Sequence, residues 1–235
     1  MTIVQEIGAR LQSLGTKQRA KVSQGFFKTG PGEYGEGDIF LGVQVPELRK
    51  LAASYQAITL GEVSRLLRST IHEERLLALL ILCRAYAGGD EHAKERIYKL
   101  YLKNTRHVNN WDLVDASAEY IVGAFLMGKS KRPLYLLARS SNLWERRIAI
   151  MATFQFIKRG EFGETLKIAR ILLADKEDLI HKAVGWMLRE VGKRRLQSAE
   201  RFLKEHYKEM PRTMLRYAIE RFPESKRQCY LKGKI

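Results

Sequence analysis

The run NNWDLVDASAEYIVGAFL, residues 109–126, sets Trp111, Asp112 and Asp115 at the mouth of an otherwise apolar segment. Four residues separate Trp111 from Asp115, so on a helix the indole and the carboxylate share one face. A carboxylate kept dry by an aromatic wall stabilises a positive charge that develops beside it. The simpler reading is structural. Asp112 would cap the helix, and Asp115 in the first turn would complement the helix dipole for about 0.3–1 kcal/mol. Tryptophans at helical spacing are commonly core residues, so both readings stand on this run alone.

The rest of the chain has the opposite charge. Forty-two Lys plus Arg against 26 Asp plus Glu give a formal net charge of +16 over 235 residues. A surplus of that size attracts polyanions, with nucleic acid and anionic membrane as the usual candidates. The 45% hydrophobic content is that of a globular chain.

Helices must position these residues. Apolar positions recur at three- and four-residue intervals and only five prolines occur, the helical pattern. The spacing predicts helices near 3–13, 17–28, 46–55, 60–69, 72–87, 91–104, 111–127, 132–139, 142–159, 163–173, 178–192, 196–208 and 211–222, with no strands. The more apolar member of each helix pair aligns as RLLALLIL from Arg75, DASAEYIV from Asp115, RIAIMATF from Arg147, KAVGWMLR from Lys182 and RTMLRYAI from Arg212. The steps of 40, 32, 35 and 30 residues suit degenerate HEAT-like repeats; a compact non-repeating bundle is the alternative. The expected fold is therefore all-α, a right-handed superhelical solenoid of degenerate HEAT-like helical repeats with a basic concave face, over one domain spanning 1–235. Four of the five aligned helices begin with Arg or Lys and the second begins with Asp115. The face they line would be a basic trough interrupted by one acid, with Trp111, Trp144 and Trp186 at the same level.

Other motifs carry less. GPGEYG, residues 30–35, fits GxGxxG literally but follows no strand and leads into no helix, so it reads as a turn-rich loop with Tyr34 at its tip. KQRAKVSQGFFK, residues 17–28, mixes four cations with Phe26 and Phe27 and reads equally as a DNA-gripping helix or an ordinary amphipathic one. Arg146 and Arg147, and the KRR run at 193–195, are candidate phosphate contacts, with Arg147 favoured by its inner-face register. Two cysteines, Cys83 and Cys229, suggest no disulfide framework. The five histidines lack metal-ligand spacing, so no metal is expected. MTIVQEIGARLQSLG is too polar for a signal peptide and LLALLILC too short for a membrane span, so a cytoplasmic protein is expected.

Four blocks carry a resemblance. FLGVQVPELRKLA (40–52), NNWDLVDASAEYIVG (109–123), SSNLWERRIAIMATFQFIKRGEF (140–162) and IHKAVGWMLREVGKR (180–194) resemble the AlkD-like DNA alkylation-repair glycosylases. The resemblance runs from about residue 25 to 222. It implies a cofactor-free and metal-free monofunctional glycosylase, and a monomer is expected. Such an enzyme wraps double-stranded DNA and removes cationic N3- and N7-alkylated purines, which would keep it with the cytoplasmic nucleoid. Position by position it implies Asp115 as the catalytic carboxylate, with Trp111 and Trp186 beside the lesion's deoxyribose. Arg147 would hold phosphate and Gln44 would lie near the lesion. Lys182, Arg75, Arg146 and Arg189 complete the expected DNA contacts, and Asp112 reads as structural. A non-catalytic nucleic-acid scaffold and an adaptor for an acidic protein are the competing classes.

Overall fold

The computed structural model describes residues 2–55 and 57–235. Among them the only strand-like pairing is a single parallel bridge between Ile39 and Ile71. The chain divides into two compact units, Met1–Ile121 and Val122–Ile235.

The first unit holds helices α1 (Ile3–Leu14), α2 (Lys17–Phe26), α3 (Val45–Ser54), α4 (Leu60–Leu67), α5 (His72–Gly88), α6 (Glu91–Lys103) and α7 (Trp111–Asp115). Local chemistry fixes the starts. Thr2 with Gln5 and Thr59 with Glu62 form capping boxes, and Asp90 accepts from the Ala93 amide, satisfying N–H groups that a helix N-terminus leaves unpaired. Helix α5 buries ten of its seventeen residues, among them Leu76, Leu77, Leu79, Ile81 and Leu82. Such a helix must be central, and α3, α4, α6 and α7 all pack on it.

The second unit holds α8 (Ala124–Leu126), α9 (Arg132–Ala138), α10 (Leu143–Ala152), α11 (Phe154–Lys158), α12 (Gly163–Ile171), α13 (Asp178–Arg194), α14 (Leu196–His206), α15 (Arg212–Ala218) and α16 (Glu224–Leu231). Here α13 is the hub, packed on α10, α14 and α15. Its crossing with α15 needs Gly185, where a Cβ would sit 2.5 Å from both the Met214 carbonyl oxygen and the Tyr217 Cβ.

Four of the five aligned starts hold a common register. Arg75, Asp115, Arg147 and Lys182 are each the fourth or fifth residue of their helices, and Arg212 is the first of its own. Two predicted helices are broken. The segment 111–127 becomes α7, a π-helical turn at Glu119–Gly123, and α8. The Ser117 hydroxyl donates back to the Leu113 carbonyl at 2.6 Å, a bond that competes with the helix ladder. Thr153 interrupts 142–159 in the same way, donating to the Ile150 carbonyl at 2.7 Å. Helix α16 was not predicted, because its sequence ESKRQCYL is mostly polar and only Tyr230 is buried.

Candidate active site and nucleic-acid interface

Helix α7 is five residues long, and three side-chain anchors set its position. Buried Asn110 accepts from the Trp111 amide at 2.8 Å and donates to Asp38 at 3.3 Å. Asp112 accepts from the Leu113 amide through Oδ1 and from His72 Nε2 through Oδ2, both at 2.8 Å. Ser117, just past the helix end, lies 3.0 Å from the Tyr101 hydroxyl. Asp112 thus serves the structure through these bonds, although the N-cap of α7 is Asn110 and not the Asp112 expected from the sequence.

His72 is the hinge of a buried ionic chain. Its Nδ1 meets Asp38 Oδ2 at 3.1 Å, and the opposite Asp38 oxygen receives Arg75 Nη2 at 2.6 Å. Both partners of the imidazole are carboxylates, so both ring nitrogens must carry protons. Burial alone would lower the His72 pKa, but the hydrogen bonds to Asp112 and Asp38 outweigh it and raise the pKa above the ordinary imidazole value. For Asp38, burial acts to raise the pKa, and the His72 hydrogen bond with the Arg75 charge brings it below the usual carboxylate value. Next to this chain, buried Glu73 accepts from the Leu41, Gly42 and Val43 amides at 2.7–3.2 Å. That clamp holds the 38–44 loop, which ends at Gln44, the exposed N-cap of α3.

A cluster of rings packs against the ionic chain. Trp111 stacks on Phe27 with centroids 5.4 Å apart, and Phe27, Phe40 and His72 form a triangle, with Phe27–Phe40 at 4.9 Å, Phe40–His72 at 4.4 Å and Phe27–His72 at 5.1 Å. Trp111 stays half-buried. A cavity of about 660 Å³ opens beside this cluster, with Arg19, Gln44, Phe27, His72 and Asp112 in its wall.

Asp115, one turn beyond Trp111, faces a different cavity of about 490 Å³ in the same unit. Arg49, Arg84, Cys83 and Tyr120 share its wall. Burial pushes the Cys83 thiol up to about 12, with Glu119 adding to the shift, so the thiol is not a nucleophile at neutral pH. Asp115 therefore sits half-buried on a surface whose cations, Arg49 and Arg84, are both exposed.

In the second unit, Trp186 lies half-buried on α13, 6.1 Å from the Phe154 ring. Trp144 is buried at 8% exposure and belongs to the core. Lys182 pairs with Asp178 at 2.7 Å and keeps a side chain 41% exposed.

Several expected DNA contacts need correction. Arg75 is 3% exposed and committed to Asp38 and the Ser69 carbonyl, so it cannot reach a phosphate. Arg147 is 5% exposed and donates to the Leu179 carbonyl at 2.5 Å; it ties α10 to α13. Arg146 grips Asp175 with two nitrogens, the shorter contact 2.6 Å, and caps the Ser140 and Ser141 carbonyls. Arg189 is bound to Glu220. Arg49 and Arg84 were missed, since nothing local marks a cation that later lines a cavity.

The GxGxxG run is a loop without a following helix, as expected. The Gly30 and Gly32 amides are taken by Glu33 and Glu36, each at 2.9 Å, and Tyr34 folds back to donate to the Phe26 carbonyl at 3.5 Å instead of standing at a tip. No group of His, Cys, Asp or Glu suited to a metal occurs among the described residues, and no helix among them is long and apolar enough to cross a membrane.

The family model described as DNA alkylation repair enzyme matches residues 7–222. The chain belongs to the DNA alkylation repair enzyme family. No curated relative matches the sequence. Among solved structures, a predicted DNA alkylation repair enzyme from Enterococcus faecalis is similar over 89% of this chain and 97% of its own, at 17% identity and TM-score 0.70. The AlkD2 protein from Streptococcus mutans is similar over 88% and 99%, at 18% identity and TM-score 0.54. The protein smu.31 from Streptococcus mutans UA159 covers 77% and 93%, at 19% identity and TM-score 0.54. At these identities the likeness speaks to fold. The alkylation repair family member described here shares an AlkD-like, all-helical repeat architecture.

Proposed function

We propose that the protein is a monofunctional DNA glycosylase that hydrolyses the N-glycosidic bond of cationic alkylated purines, N3-methyladenine and N7-methylguanine, in double-stranded DNA. The observation that carries the reading is the setting of Asp115. It is a half-buried carboxylate on a cavity edged by two exposed arginines, one helical turn from a half-buried indole, in a member of a DNA alkylation repair family.

An alkylated purine already bears positive charge, so it departs as a neutral base and needs no general acid. Positive charge then grows on the sugar, where a preorganised carboxylate stabilises it and orients the attacking water. The Trp111 face contributes cation–π attraction of about 0.5–2 kcal/mol. Trp186 joins the proposal on its motif. Arg49, Arg84 and Lys182 supply phosphate affinity, which makes binding salt-sensitive.

Single-turnover release of 7-methylguanine from methylated duplex tests the reading. Asp115→Asn is expected to slow release by roughly 10²–10³, the size of a lost transition-state electrostatic contact, with DNA affinity retained. Undiminished release by this variant would remove Asp115 from the mechanism. DNA binding without release by the wild type would leave a non-catalytic scaffold.

A further inference from the structure

Helix α2 resolves one ambiguity of its sequence in an unexpected direction. An ordinary amphipathic helix buries one face, yet none of the ten residues of α2 is buried. Its two largest apolar side chains are instead well exposed, Val22 at 68% and Phe26 at 63%. They stand four residues apart and so on one face. Arg19 flanks that face, while Lys17 and Lys21 lie elsewhere around the helix and Lys28 just past its end; all four are exposed, and no acidic residue lies between positions 17 and 28.

The helix is held firmly from below. Its C-cap residue Phe27 is stacked between Trp111 and Phe40. Phe26 itself meets Phe27 edge-on at 5.1 Å and Trp111 at 5.9 Å. Gly42, at φ 80°, lets the clamped 38–44 loop pass beneath, where a Cβ would come within 2.6 Å of the Thr16 carbonyl and the Ala20 amide nitrogen. An exposed phenylalanine braced at its base by other rings, with cations around the helix, is the arrangement of a side chain that enters a base stack while its neighbours hold phosphates.

We infer that α2 is a DNA wedge: Val22 and Phe26 insert into the base stack of bound duplex, and Lys17, Arg19, Lys21 and Lys28 neutralise the flanking phosphates. The inference rests on reading the protein as one that acts on DNA. It adds a site that unstacks the duplex next to Trp111, through contacts that carry no base sequence.

A duplex bearing a tetrahydrofuran abasic analogue flanked by 2-aminopurine tests it, because 2-aminopurine emission rises when the base unstacks. The wild-type protein is expected to raise emission on binding. Phe26→Ala should abolish the rise and weaken binding about 10-fold, the loss typical of one base–aromatic stack, with an unchanged salt slope; Phe26→Trp should restore both. Val22→Ser, which removes the apolar side chain without adding charge at a site without ring contacts, should reduce the rise independently, and thermal melts verify that each variant is folded. Lys21→Ala should leave the emission rise intact and lower the salt slope by about one. Wild-type binding without an emission rise, or a full rise with folded Phe26→Ala, overturns the wedge. Release of 7-methylguanine without the rise refutes the wedge and leaves the glycosylase reading; the rise without release does the reverse.

Discussion

Replacing His72 by Gln probes the ionic chain beneath α7 and predicts a loss of stability with a definite pH signature. The imidazole is 2% exposed and serves two carboxylates. Breaking a buried charged pair costs about 3–5 kcal/mol when the partner is left uncompensated. Here the lower end applies. Asp38 keeps Arg75 at 2.6 Å and Asn110 at 3.3 Å, while Asp112 is 16% exposed and recovers some hydration. About 3 kcal/mol corresponds to a fall in Tm of about 6 °C if the whole chain unfolds together, and about 12 °C if the first unit unfolds alone. The pH dependence follows from the raised His72 pKa. Stability from the protonated imidazole is complete below its unfolded value near 6.5 and is lost as pH rises through the folded value. Wild-type Tm should therefore decline above about pH 6.5, and His72→Gln should lack that decline, the two curves converging at high pH. The charged groups acting on the ring are Asp38, Asp112 and Arg75, with Phe40 stacked on it and Phe27 tilted against it; Asp38, its pKa lowered, loses its contribution only under acid conditions. Thermal melts from pH 6 to 9 read both effects. A parallel pH slope in the two proteins would refute a protonated His72.

The cations divide by the same reasoning. Arg49→Ala and Arg84→Ala should each lower the slope of log affinity against log salt by about one in a DNA-binding titration. Arg75→Ala should leave that slope unchanged and destabilise the fold by about 3 kcal/mol in a denaturant melt, because Asp38 loses one of its two charged partners while keeping His72 and Asn110. Gly185→Ala offers a helix-propensity gain of about 1 kcal/mol, yet the added methyl meets α15 backbone at 2.5 Å. A net lowering of stability by about 1–3 kcal/mol is expected, and an increase would show that α13 and α15 can separate freely.

Helix placement was legible in the sequence because it depends on periodicity and caps that lie within a few residues. The register of the aligned helix starts was legible for the same reason. What the register could not convey is which side of a position is covered. Arg75 begins its helix as Lys182 does, but a loop 37 residues upstream brings Asp38 onto Arg75, while Lys182 pairs with Asp178 on its own helix and keeps an exposed side chain. The distinction between phosphate contact and buried ion pair is therefore tertiary. His72 escaped notice likewise, since its partners lie 34 and 40 residues away on opposite sides in sequence. The breaks after Asp115 and at Thr153 had a local sign, a hydroxyl able to bond back into the helix, although such residues also occur in unbroken helices.

A helix of five residues has too few hydrogen bonds to hold its own conformation in water, so the direction in which α7 presents Trp111 and Asp115 is set by what grips it. The grip passes from Glu73, which fixes the 38–44 loop, through that loop to Asp38, and from Asp38 through His72 and Asn110 to the head of α7. This explains negative charge in the interior of a strongly cationic chain. Asp38, Glu73 and Asp112 are consumed in positioning, each paired with a buried donor, and Asp115 lines a cavity whose wall it shares with exposed Arg49 and Arg84. If the proposed chemistry is right, loosening His72 should slow methylpurine release through Asp115 without altering the salt slope, because no phosphate-binding group has been touched. A His72→Gln enzyme with full activity at a temperature where it remains folded would show instead that α7 needs none of this support.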